Sequence, residues 1–230
     1  MKSRASPFPE TGVWFPASTD PAVVLQGRLG TLGDGLRRPA VALCHPGATG
    51  QTGLEYPVIA ACAAALHRAG YVTLRFNFRG VQGSGGARTG GQRESEDVLG
   101  AVEYLRQQRN VESAQLYLLG NSFGAWMALE ALRADKLVAG VVCIVLPIAL
   151  LPSPPEHLRD DARPKLLVAA ENDQLWDLAA LRVAYQSWAE PKTLIVLEGT
   201  DHFLGLGPAS TDSTSRAPQV ADTVVDWLPN

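Results

Sequence analysis

The sequence predicts an α/β fold in which helices cover both faces of a parallel sheet. Short apolar runs typical of strands alternate along the chain with longer runs of helical periodicity. Several strand-like runs, VVCIVL and LLVAA among them, are apolar at every position, as strands buried on both faces are. Right-handed crossovers between such strands place the helices on both sides of the sheet.

The predicted elements begin after residues 1–12, which we expect to form a flexible lead-in to a single domain over residues 13–230. Eight strands are predicted, at residues 13–15, 23–29, 40–44, 72–76, 115–119, 140–146, 165–170 and 192–197. Five helices are predicted, at residues 56–69, 94–106, 123–134, 178–188 and 219–228. Only residues 147–164 separate the sixth and seventh strands, which is too little chain for a cap domain.

Composition excludes several classes of partner. The net charge of −3 and the pI of about 5.8 give no basic patch for nucleic acid or an anionic membrane surface. The N-terminus has no apolar run of a secretory signal, and the longest apolar run, residues 137–151, is too short to span a bilayer. Cys44, Cys62 and Cys143 lie in apolar runs and are expected to be buried, reduced thiols. We therefore expect a cytoplasmic protein.

A G-x-S-x-G pentapeptide at residues 120–124 is the central chemical motif. It lies between a strand-like run, QLYLL, and a helix-like run, FGAWMALEAL, the context in which this motif forms a strand-to-helix turn. The turn exposes the serine hydroxyl, and the flanking glycines let strand and helix pass closely. Ser122 is therefore the predicted nucleophile, and the amide of Phe123, at a helix N-terminus, is predicted to stabilise an oxyanion.

A serine hydroxyl needs a neighbouring base, and His202 is the predicted one. Of the four histidines, only His157 and His202 follow Ser122, as the chain order serine, acid, histidine requires. His157 lies in a proline-rich loop, whereas His202 follows the last strand-like run directly. A loop at the carboxyl edge of the sheet is where the base is expected.

The acid is expected on a loop after a strand that lies between the nucleophile and the base. The KLLVAA run leads into Glu171, Asn172 and Asp173, of which Asp173 is the predicted acid. Three alternatives remain. Glu171 lies close to the strand, which limits how far its side chain can reach outward. Asp177 is expected to begin the next helix as an N-terminal acid. Asp201 directly precedes His202, and a residue seldom folds back onto the Nδ1 of its neighbour.

The loop HPGATG, residues 45–50, is expected to supply the second oxyanion amide, with Gly47 the first candidate and Ala48 the second. His45 is expected to orient this loop by hydrogen bonding. Four aromatic residues near these loops could line an acyl pocket: Phe123, Trp126, Trp176 and Phe203. Trp176 and Phe203 are closer to the predicted site, whereas core packing is expected for Trp126. Arg79 could bind a substrate carboxylate, although an arginine in this position more often braces a loop.

The segments HPGATG, RFNFRGVQGSGG, GNSFG, AAENDQ and GTDHF together resemble the small, capless α/β-hydrolases related to dienelactone hydrolases and carboxylesterases. The resemblance runs from about residue 13 to the C-terminus. It implies the α/β-hydrolase fold, with a mostly parallel eight-stranded sheet and no cap domain, and a triad of Ser122, Asp173 and His202. Two features depart from the family: dienelactone hydrolases have cysteine where Ser122 stands, and many relatives have a glycine ahead of the acid loop.

These observations predict a serine hydrolase that cleaves small carboxylic esters or thioesters through an acyl-enzyme, without metal or organic cofactor. An acyltransferase or a peptidase with the same triad is an alternative, because fold and triad do not decide between these reactions. A ligand-binding protein that keeps the fold without turnover is another.

Overall fold

The computed structural model describes residues 8–47, 53–151, 155–206, 210 and 214–229. A single eight-stranded sheet runs through these residues. Its strands are β1 (Glu10–Ala17), β2 (Asp20–Gly30), β3 (Arg38–Cys44), β4 (Val72–Phe76), β5 (Val111–Asn121), β6 (Gly140–Ile144), β7 (Lys165–Ala170) and β8 (Lys192–Leu197). Five α-helices accompany them: α1 (Pro57–Arg68), α2 (Glu94–Arg106), α3 (Phe123–Ala134), α4 (Leu178–Gln186) and α5 (Ala217–Trp227).

The strand order in the sheet is β1-β2-β4-β3-β5-β6-β7-β8. Strand β2 pairs antiparallel with both β1 and β4, and all later pairs are parallel. The prediction of a mostly parallel sheet of eight strands is therefore confirmed. In the register of the central strands Gly120 lies opposite both Cys44 and Cys143, so the carboxyl ends of β3, β5 and β6 meet at one edge.

The helices form a layer on each face of the sheet. Helices α1 and α5 pack against each other on one face, where Ile59 and Val220 are fully buried. Helices α2 and α3 pack together on the other face, and Met127 is fully buried there. Apolar side chains of alternate strand positions fill both layers, as the continuous apolar runs of the strands require.

The borders of some elements differ from the predicted ones. Strand β1 begins at Glu10 rather than at residue 13, so residues 10–12 of the predicted lead-in are paired with β2. The carboxylate of Glu10 accepts a 2.8 Å hydrogen bond from Arg75 Nε, and both side chains are almost fully buried. Strand β6 ends at Ile144 rather than at residue 146, because Val145 has a φ of +44°, which a strand cannot accommodate.

The connection between β6 and β7 contains two short 3-10 helices, Ile148–Leu150 and Glu156–Arg159. In the described part of this connection, residues 145–151 and 155–164, no cap domain is present. None of the described helices is long and apolar enough to cross a membrane. In the described residues, the motif residues therefore converge at a carboxyl edge that no cap domain covers.

Candidate active site

Ser122 lies at a sharp turn between β5 and α3. Its φ of +51° and ψ of −116° are strained for a residue that carries a Cβ. The neighbouring glycines are required by close packing. A Cβ on Gly120 would lie 2.2 Å from the carbonyl oxygen of Gly124, and a Cβ on Gly124 would lie 2.3 Å from that of Cys44. The glycines therefore allow the strand and the helix to approach as the strained turn demands.

Three side chains that are distant in sequence form a hydrogen-bonded chain at this turn. Ser122 Oγ lies 3.2 Å from His202 Nε2, and His202 Nδ1 lies 2.8 Å from Asp173 Oδ2. The side chains of His202 and Asp173 are only 7% and 6% exposed. When the Nδ1–H group donates a hydrogen bond to the carboxylate of Asp173, the neutral imidazole has a lone pair on Nε2 that faces the serine hydroxyl. This arrangement can deprotonate Ser122.

The loop after β7 fixes the carboxylate of Asp173. Its Oδ1 accepts hydrogen bonds of 2.9 Å from the amides of both Leu175 and Trp176, which leaves Oδ2 for the imidazole. The next residue makes a second link between the two loops, because Gln174 Oε1 accepts a 3.2 Å hydrogen bond from the amide of His202. Sequence reasoning missed Gln174, since a surface-loop glutamine gives no signal of such a contact.

The alternative acids have other partners. Asp177 caps helix α4 by accepting from the amide of Ala179 at 2.8 Å. Asp201 is buried, and its Oδ2 accepts from the hydroxyl of Ser210 at 2.7 Å. Glu171 accepts a 2.8 Å hydrogen bond from the amide of Gly199. Of the four acids considered, Asp173 is thus the one hydrogen-bonded to the imidazole of His202.

The loop after β3 lies directly beside the turn. A Cβ on Gly47 would lie 3.1 Å from Phe123 Cβ, so the backbones of the two predicted oxyanion donors are adjacent, whereas Ala48 lies outside the described residues. His45 Nδ1 donates to the carbonyl of Pro46 at 2.7 Å, and its Nε2 accepts from the amide of Phe78 at 3.2 Å. Burial lowers the pKa of His45 to about 4, so the ring stays neutral and holds the loop.

The two candidate pocket residues flank the imidazole. The ring centroids of Trp176 and Phe203 lie 6.0 Å and 5.6 Å from that of His202, both edge-to-face. Trp126 is only 9% exposed and packs in the core, as expected, but it also lines a cavity. Trp126 thus has both of the roles that the sequence offered for it, core packing and the lining of a cavity.

This cavity has a volume of about 480 Å³ and lies beside Phe123. Its apolar wall consists of Phe78, Val81, Phe123, Trp126 and Leu150, and the remaining lining residues are His45, Arg79, Arg88, Gly90 and Glu94. Neither Trp176 nor Phe203 belongs to it. Arg79 braces a loop here, because its Nε and Nη2 donate to Asp97 Oδ1 at 2.9 Å and 2.7 Å.

Comparisons with known proteins agree with this architecture. The sequence model of the alpha/beta hydrolase domain family matches residues 37–228. An uncharacterised protein of Mycobacterium tuberculosis is 28% identical over 86% of this chain and 77% of its own length. A Xanthomonas campestris structure described as an α/β serine hydrolase without lid superimposes with a TM-score of 0.76 at 24% identity, covering 99% of both chains.

Two further solved structures share the fold. An α/β serine hydrolase homologue from Coxiella burnetii has a TM-score of 0.78 at 22% identity and covers 99% of this chain and 100% of its own. An esterase from Pyrococcus furiosus has a TM-score of 0.77 at 19% identity and covers 96% and 92%. The resemblance to capless α/β-hydrolases noted from the sequence is confirmed. The chain belongs to the alpha/beta hydrolase family, for which hydrolysis is the indicated type of activity.

Proposed function

We propose that the protein is a serine hydrolase that cleaves small carboxylic esters or thioesters through an acyl-enzyme. The observation that carries this proposal is the hydrogen-bonded chain from Ser122 through His202 to Asp173 at a strained strand-to-helix turn. Nucleophile, base and orienting acid are the three parts of this type of catalysis, and here they meet with distances of 3.2 Å and 2.8 Å.

In the first half-reaction Ser122 Oγ attacks the acyl carbon while its proton passes to His202 Nε2. The amides of Phe123 and of Gly47 or Ala48 stabilise the tetrahedral oxyanion. When this intermediate collapses, the bond to the alcohol or thiol breaks and the leaving group takes the proton from Nε2. Water then attacks the acyl-enzyme with the same imidazole as base, and the carboxylic acid and free Ser122 are released. Asp173 stabilises the imidazolium in both halves.

The chain's thiols do not offer an alternative nucleophile. Cys44, Cys62 and Cys143 are all buried and free. Burial raises the pKa of each thiol, that of Cys62 to about 12, so all three remain protonated near neutral pH. This supports Ser122 as the attacking group. The proposed reaction needs no metal or cofactor, since the base activates the serine directly.

The test of this proposal compares the wild type with Ser122→Ala on a short-chain aryl ester. We expect the variant to keep its circular dichroism spectrum and to lose turnover by a factor on the order of 10⁴ or more. Turnover at the wild-type rate in the folded variant, or a wild type without activity on any short-chain ester or thioester, would contradict the proposal. If product analysis with an added alcohol showed transfer to the alcohol alone, the enzyme would be an acyltransferase rather than a hydrolase.

A further inference from the structure

The cavity beside Phe123 has an apolar wall that runs from the core to the surface. At its inner end Trp126 is only 9% exposed, and at its outer end Leu150 is 51% exposed. The ring of Phe123 packs edge-to-face against the rings of both Phe78 and Trp126, with centroid distances of 5.4 Å and 5.8 Å. A volume of about 480 Å³ is in the range of sites that hold small organic ligands.

The position of this cavity decides which half of an ester it can hold. The leaving group must lie within hydrogen-bond reach of His202 Nε2, because the imidazole returns its proton to that group. The aromatic rings that pack against His202 are those of Trp176 and Phe203, and neither lines the cavity. The cavity is lined instead by His45 and Phe123, on the side of the predicted oxyanion donors. A group bound there extends away from His202, as the acyl group of the substrate must.

The charges in the wall favour an uncharged group. Arg79 is paired with the buried carboxylate of Asp97 at 2.7 Å. Glu94 is 2% exposed, and its Oε2 accepts from the hydroxyl of Thr89 at 2.6 Å and from the amide of Gly91 at 2.8 Å. A second arginine, Arg88, also lines the cavity, and with Arg79 neutralised by Asp97 its charge is balanced by that of Glu94. What the cavity offers a ligand is chiefly aromatic and aliphatic surface.

We propose that this cavity is the acyl pocket of the enzyme, that it takes uncharged, apolar acyl groups longer than acetyl, and that Leu150 and Trp126 limit their length. The inference rests on the proposed function, because an acyl pocket presupposes attack by Ser122. Burial of each additional methylene in this wall raises kcat/KM by about threefold to fourfold. Four fully buried methylenes would give about 80-fold to 260-fold, and because Leu150 is half exposed we expect a smaller rise, about 10-fold to 100-fold, from acetyl to hexanoyl esters of one phenol.

Leu150→Trp tests the pocket without disturbing the core, since Leu150 is half exposed. The larger ring fills the outer end, and we expect the hexanoyl-to-acetyl ratio of kcat/KM to fall by about tenfold. Leu137→Trp is the matched control, because Leu137 is an exposed leucine, at 71%, that does not line the cavity. Leu137→Trp should leave kcat/KM for each ester and the hexanoyl-to-acetyl ratio of kcat/KM unchanged. Trp126→Phe places a smaller ring at the inner end and so lengthens the cavity, which should move the optimum to a longer acyl chain.

A second readout does not depend on turnover. With p-nitrophenyl hexylphosphonate, Ser122 Oγ forms a bond to phosphorus, the bond to p-nitrophenolate breaks, and His202 takes the serine proton. In a crystal structure of this adduct the hexyl chain should lie along Phe123 and Trp126. A hexyl chain beside Trp176 or Phe203 would overturn the assignment.

The outcomes separate the two proposals. Ser122-dependent hydrolysis with no rise in kcat/KM from acetyl to hexanoyl, or faster cleavage of esters with a terminal carboxylate on the acyl chain, would overturn the acyl pocket and leave the proposed function standing. A change of alcohol preference instead of acyl preference in Leu150→Trp would assign the cavity to the leaving group. Absence of both ester hydrolysis and phosphonylation at Ser122 would overturn the proposed function itself.

Discussion

Replacing Asp173 by asparagine alters the proposed reaction with very little change of shape. The asparagine oxygen can still accept from the amides of Leu175 and Trp176, both at 2.9 Å, so the loop after β7 should keep its conformation. The new amide nitrogen then faces His202 Nδ1 at the 2.8 Å position of the lost oxygen, and it can only donate. The imidazole must therefore carry its proton on Nε2, where it can no longer accept the proton of Ser122.

The expected loss in kcat follows because an imidazole protonated on Nε2 cannot act as the base for Ser122. Where the same exchange has left the geometry intact in other triads, turnover falls by about 10⁴-fold, which corresponds to about 5 kcal/mol in the activation free energy. The assay measures kcat and KM of Asp173→Asn on one short-chain aryl ester, with circular dichroism to check folding. The matched control is Asp177→Asn, which should change turnover by less than about twofold, because asparagine caps a helix about as well as aspartate.

Asp201→Asn completes the comparison. The carboxylate of Asp201 accepts hydrogen bonds from the hydroxyl of Ser210 at 2.7 Å and from the amide of Phe203 at 3.0 Å. Neither of these bonds involves the imidazole of His202. We expect this variant to lose far less activity than Asp173→Asn. If Asp201→Asn or Asp177→Asn were the inactive variant and Asp173→Asn stayed within about tenfold of the wild type, the assignment of the acid would be wrong.

Two further predictions concern stability. The pKa of buried His45 is about 4, below its ordinary 6.5, so the unfolded chain binds more protons between these values. His45 should therefore contribute a fall of about 2 kcal/mol in the free energy of unfolding from about pH 7 to about pH 5, and urea titrations of His45→Gln should show a loss smaller by about that amount. Gly124→Ala should destabilise the fold by about 1–3 kcal/mol in the same assay, although alanine normally favours a helix, because its Cβ would lie 2.3 Å from the carbonyl oxygen of Cys44.

Each stability prediction has its control. If wild type and His45→Gln lost the same unfolding free energy on acidification, His45 would not be a neutral, buried ring in the folded protein. Gly12→Ala is the comparison for Gly124→Ala, since a Cβ at Gly12 has no neighbour closer than 4.0 Å. If Gly124→Ala and Gly12→Ala changed the free energy of unfolding by the same amount, α3 could move away from β3 to accommodate the added methyl group.

Much of the fold could be predicted because strands buried on both faces have continuous apolar sequences. Strand β7 has the predicted borders, Lys165–Ala170, and all six of its residues are buried. The G-x-S-x-G motif specified a strand, a turn and a helix, and these occur in that order around Ser122. Local chemistry therefore determines these elements, and the sequence reveals them without reference to distant residues.

Features that depend on distant contacts could not be predicted in this way. Glu10 belongs to β1 because its backbone pairs with Gly30, and its carboxylate contacts Arg75, 65 residues away, which no local pattern predicts. The left-handed backbone of Val145 is imposed by its surroundings, since a β-branched residue does not favour it. Leu150 lines the same cavity as Phe123, 27 residues away in sequence, and hydrophobic periodicity does not specify this proximity.

The most direct measurement of the central claim is active-site labelling with a fluorophosphonate, followed by mass spectrometry of the intact protein and of its peptides. The wild type should gain one adduct, located on Ser122, because this hydroxyl lies 3.2 Å from His202 Nε2. Ser122→Ala and His202→Ala should gain none on the same timescale. An unlabelled wild type, or an adduct of equal extent on another residue in Ser122→Ala, would contradict the assignment of Ser122 as the nucleophile of a serine hydrolase.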